Sequence, residues 1–86
     1  MDVELFLDFD EVTPENKAIA LKKFKAWYMD GSEVRHNKLS FGSLTQLESP
    51  NRYLIDFGYT EPIVAIRNLH ARIRNHGVKV FVHFIY

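Results

Sequence analysis

Two stretches of this chain, VELFLDFDEVTPE over residues 3–15 and RYLIDFGYTEPI over 52–63, share one layout. Each alternates apolar side chains, places an aspartate beside a phenylalanine near the end of that run, and then brings threonine and proline within two residues of each other. Alternation at a period of two marks a strand, and threonine with proline marks a helix start. Each stretch therefore reads as a strand turning into a helix. The echo is compatible with duplication, but two βα units solving the same geometric problem account for it equally well.

In the first unit Val3, Leu5, Leu7 and Phe9 form one apolar face, and Phe6 stands between Glu4 and Asp8 on the other. Thr13 supplies a capping hydroxyl, Pro14 occupies the first helical position where its missing N–H costs nothing, and Glu15 suits the positive end of the helix dipole. The spacing of Ala20, Leu21, Phe24, Trp27 and Tyr28 predicts a helix from Pro14 to about Met29, ended by Asp30 and Gly31. Residues 33–44, with Val34, Leu39 and Phe41 around the polar run RHNK, suggest an irregular edge strand. Ser49, Pro50 and Asn51 make a turn before a strand built on Tyr53, Ile55, Phe57 and Tyr59. A second helix starts near Thr60 with a stripe of Ile63, Ile66, His70 and Ile73 supported by Leu69, and closes at Asn75, His76 and Gly77.

The order β-α-β-β-α-β, with right-handed crossovers and both helices on one face, predicts an α+β ferredoxin-like two-layer sandwich whose antiparallel sheet has the order 4-1-3-2. Residues 1–86 are read as a single domain, because either half alone is too short to bury its own core. The hydrophobic share of 47% is enough for such a core. With no cysteine, disulfides, thiolate metal sites and cysteine chemistry are excluded. The acidic start MDVELFLDFDE is unlike a signal peptide, and no apolar stretch has membrane-spanning length, so a cytoplasmic protein is expected. Formal charge is zero but polarised: residues 1–15 carry acids and no Lys or Arg, and residues 62–86 carry Arg67, Arg72, Arg74 and Lys79 and no acid.

The last stretch, VKVFVHFIY, is apolar or aromatic on both faces. One face is used against the helices by Val78, Val80, Val82 and Phe84, which leaves Phe81, His83 and Ile85 in need of cover from outside the monomer. Strand parity puts Glu4, Phe6 and Asp8, Leu54 and Asp56, and Lys79, Phe81, His83 and Ile85 on the open face, with Phe6, Leu54, Phe81 and Ile85 forming a contiguous apolar patch. The expected function is a small protein-interaction module, a homodimeric regulator, inhibitor or assembly subunit, with Phe6, Leu54, Phe81, His83 and Ile85 as the interface. Its expected partner is a second copy or another protein, with no membrane and no cofactor.

Other readings compete. The element order matches the RNA recognition motif, and Leu5-Phe6-Leu7 is similar to the start of that family's shorter signature. The longer signature is not matched: Arg52-Tyr53-Leu54-Ile55-Asp56-Phe57 lacks its glycine and sets Leu54 and Asp56 where stacking aromatics belong. Asp8 ends the first strand, Asp10 lies two residues on, and Asp56 is expected on the neighbouring strand, running parallel. Such a carboxylate set would hold Mg²⁺ for phosphodiester chemistry, and the strand-end aspartate resembles that of the CRISPR-associated integration nucleases. Lys22, Lys23 and Lys25 with Arg67, Arg72 and Arg74 offer a basic helical surface to nucleic acid. The four histidines, His36, His70, His76 and His83, form no ligand motif and read as structural.

Overall fold

A computed structural model describes residues 2–32, 43–58 and 61–85. Its elements are β1 (Asp2–Asp8), α1 (Pro14–Ser32), β2 (Ser43–Gln46), β3 (Arg52–Asp56), α2 (Pro62–Ile73), a 3₁₀ turn (Arg74–His76) and β4 (Lys79–Ile85). The sheet order is β2-β3-β1-β4 with every pair antiparallel, which is the ferredoxin-like sandwich.

The local signals for β1 and α1 act as the sequence implies. Val3, Leu5 and Leu7 are buried while the residues between them are only partly covered. The Asn16 N–H donates to Thr13 Oγ1 at 3.2 Å, which satisfies one free donor at the start of α1. Ala20, Phe24 and Trp27 are the buried stripe of that helix. Helix α1 continues through Asp30 and Gly31 to Ser32 rather than ending at them, since one helical glycine costs only about 1 kcal/mol. Strand β2 lies later than expected, at Ser43–Gln46, with Leu44 packed against the core. Val34, His36, Leu39 and Phe41 lie outside the described residues, as do Tyr59 and Thr60.

Helix α2 is rotated from its expected setting. Its buried residues are Pro62, Ala65, Leu69 and Ile73, whereas Ile63 and His70 are exposed. The cause is at the seam with α1: the Trp27 Nε1–H donates to the Ala65 carbonyl at 3.0 Å, and both residues are buried. Only a small side chain lets an indole come this close to a neighbouring helix backbone, so Ala65 faces inward and the isoleucines at 63 and 66 swing toward the sheet edge. The N-cap is Glu61, whose carboxylate accepts from the Ile63 N–H. Gly77, at φ 80°, closes the 3₁₀ turn in a left-handed conformation that glycine adopts without strain.

His76 ties that turn back to α1. Lys23 Nζ lies 2.9 Å from His76 Nε2, and Asn16 Oδ1 lies 3.0 Å from Nδ1. Lysine has only protons to offer, so Nε2 accepts and Nδ1–H donates to Asn16.

Tyr53 packs on Phe24 with ring centroids 4.7 Å apart, and burial raises its phenol pKa above the ordinary 10.0. The raised value means that the neutral phenol is favoured by folding. Its contribution is complete below the unfolded pKa and is lost as pH rises through the folded one. Alkaline unfolding followed by circular dichroism should therefore shift to higher pH in Tyr53→Phe, and an unchanged midpoint would exclude this phenol as a contributor.

Candidate functional site

The open face is read most clearly as rows across the sheet. Phe81 of β4 pairs with Phe6 of β1, which pairs with Arg52 of β3. The next row is His83, Glu4, Leu54 and Thr45, and the one after it is Ile85, Asp2, Asp56 and Ser43. Lys79 faces Asp8 at the opposite end. Phe6 and Phe81 stack with centroids 6.0 Å apart. The Arg52 guanidinium lies 4.7 Å from the Phe6 ring centre and donates to Glu4 Oε1 at 2.9 Å. These residues with Val82 and His83 frame a shallow cleft of about 300 Å³.

The expected patch is therefore only partly contiguous. Phe6 and Phe81 touch, but Glu4 separates Leu54 from His83, and the row of His83 and Glu4 stands between Ile85 and the phenylalanine pair. Period-two parity assigns the face of each residue; it does not assign the neighbour across the strand, which depends on register.

The aspartates do not converge. Because β1 and β3 are antiparallel, Asp56 sits opposite Asp2, six positions from Asp8, which is roughly 20 Å at strand rise. Asp8 Oδ1 accepts from the Asp10 N–H, and Asp56 Oδ1 accepts from the Gly58 N–H, both at 2.9 Å. Each strand-end aspartate thus forms the same i to i+2 turn, and this is the physical content of the echo between the two βα units. A metal centre built on Asp8, Asp10 and Asp56 is excluded by this arrangement, and among the described residues no group of three His, Asp or Glu side chains is placed to hold an ion.

The six cations proposed for a nucleic-acid surface are all exposed in the helical layer. Of these, Lys23 is engaged with His76, and Arg67 lines a groove between α2 and β4.

A second site was not legible as such in the sequence. Between α2 and β4, on the helix side of the sheet, Ile63, Ile66, Arg67, His70, Val80, Val82 and Phe84 line a groove of about 430 Å³. Val80 and Phe84 pack partly on the core, but Val82 remains 36% exposed on the face that was expected to be covered by the helices. The apolar stripe Ile63, Ile66 and His70 is real; it faces this groove, with Ile66 alone of the three also packed against the core. The available signal was the run Ile63-Val64-Ala65-Ile66, four consecutive apolar residues that no single helical face can bury.

Comparison with protein-family models, with curated proteins and with solved structures gives no match to this chain.

Proposed function

We propose that this chain is a small protein-interaction module, a homodimeric regulator, inhibitor or assembly subunit, that self-associates through the open face of its sheet. Phe6, Phe81, His83 and Ile85 make the contacts, and Leu54 lies at the rim. The observation that carries this reading is Phe81, which stacks on Phe6 and is nevertheless 53% exposed. A large aromatic with one covered and one bare side is the usual anchor of an interface.

Lys79 and Asp8 stand at one end of the face, Asp2 and Asp56 at the other. A two-fold axis between stacked faces, set across the strands, brings both Lys79 and Asp8 of one copy over Asp2 and Asp56 of its partner, so the apolar contacts, and not charge, carry the association.

Size sets the strength. With four strands and seven residues along β1 and β4, the face is roughly 20 Å on a side at standard strand spacing and rise. That is less than the about 800 Å² per partner of a typical stable interface, so the dimer should dissociate in the micromolar range. Sedimentation equilibrium tests this directly. Phe81→Asp should leave the fold intact, since the side chain is exposed in the monomer, and weaken association by about a hundredfold by burying an unpaired carboxylate. An unchanged association constant would remove Phe81 from the interface, and a wild-type monomer at millimolar concentration would remove the dimer.

A further inference from the structure

We propose that the groove between α2 and β4 receives an extended acidic segment of a partner protein, which adds to the sheet as a fifth strand beside β4. This goes beyond the open-face dimer and uses a different surface.

Among the described residues strand β4 is an edge, with β1 on one side and no strand on the other. Its outer row of backbone N–H and C=O groups is a template for another strand. Proteins commonly guard such an edge with proline, a bulge or several charges, yet Lys79–Ile85 is seven residues long, contains no proline or glycine, and has Lys79 as its one Lys, Arg, Asp or Glu. A strand laid beside it would send alternate side chains toward α2. The groove is open there: Ile63 is 54% and Val82 36% exposed. Residues two apart on the incoming strand would rest on Ile63, Ile66 and Val82.

Charge selects the occupant. Residues 62–85, which supply both walls, contain no acid, and Arg67 lines the groove itself, while Lys79 lies on the opposite, open face of the sheet beside Asp8. The acids of β1, the other strand that packs on β4, lie on the opposite face of the sheet, with Glu4 engaged by Arg52. Glu61 turns its carboxylate back on the Ile63 N–H. The groove is therefore apolar in its floor, with Arg67 as the Lys or Arg among its lining residues. A second copy of β4 would bring no carboxylate to meet Arg67, whereas a strand carrying carboxylates among apolar residues is complementary.

The experiment uses fluorescein-labelled, end-blocked peptides Glu-Val-Glu-Val-Glu-Val-Glu and Lys-Val-Lys-Val-Lys-Val-Lys, titrated with the full chain and followed by anisotropy, with amide hydrogen exchange on the same samples. The acidic peptide should bind saturably, slow the exchange of β4 amides, and lose affinity by about tenfold in Arg67→Glu. Ile63→Asp should weaken it as well. Both changes are at exposed positions and should leave the sedimentation behaviour of the open-face dimer unaltered, so failure of either proposal is read separately. Equal binding of the two peptides, or no effect of Arg67→Glu, would overturn the acidic partner. Binding without protection of β4 amides would overturn strand addition in favour of a small-anion site. Protection of those amides by raising the protein concentration alone would show that a second copy takes the edge, and would overturn the proposal too.

Discussion

Replacing Trp27 with alanine should cost about 3–5 kcal/mol, the range for truncating a large buried aromatic. A domain of this size is stabilised by only about 5–15 kcal/mol in total. Trp27 is 1% exposed, tilts against Phe24 at 5.7 Å, meets Phe57 edge-on at 6.5 Å, and donates its indole proton to the Ala65 carbonyl. Its loss opens a cavity where α1, α2 and the exit of β3 meet. In urea unfolding followed by circular dichroism the midpoint should fall sharply, and in thermal unfolding Tm should drop by more than about 12 °C. Trp27→Phe separates the terms, because it keeps much of the volume and removes the donor. It should cost markedly less than alanine, and equal costs would mean that the hydrogen bond, and not the packing, holds the seam.

Phe57→Ala should be the second large loss, again about 3–5 kcal/mol. Phe57 is fully buried just past β3. Its counterpart in the sequence echo is Phe9, which follows Asp8 as Phe57 follows Asp56. Phe9 is only partly buried, at the rim of the core, with Lys17 Nζ 5.3 Å from its ring centre. The same substitution at two equivalent turns should thus give unequal losses, with Phe9→Ala the smaller. Phe57 also touches Trp27, so the double alanine variant should cost less than the sum of the singles, with a coupling of about 0.5–1.5 kcal/mol. Strict additivity would show that the edge-on contact contributes nothing beyond the separate burial of the two rings.

The parts of this fold that were legible in the sequence are those set by a residue and its near neighbours. Alternation assigned both faces of β1 correctly, Thr13 and Pro14 marked the start of α1, and Ser49-Pro50-Asn51 marked the β2–β3 turn, where Asn51 takes a φ of 64°. What depends on two elements at once was not legible. The rotation of α2 follows from an indole on α1 reaching the backbone at Ala65, and nothing within residues 62–73 states that. The separation of Asp8 and Asp56 follows from the direction of β3 relative to β1, so an apparent metal set dissolves into two turn formers once the pairing is known. Phe81 on the open face was correctly placed by parity, whereas the break in the patch at Glu4 needed the register.

The bond between Trp27 and Ala65 also gives the molecule a reporter. Trp27 is the one tryptophan in the chain, dry and fixed by a backbone acceptor. Its emission should be blue-shifted in the folded state and insensitive to events at the outer edge of β4 or across the open face. Light from this residue thus reads whether the two helices are docked, while occupancy of either outer surface stays optically silent.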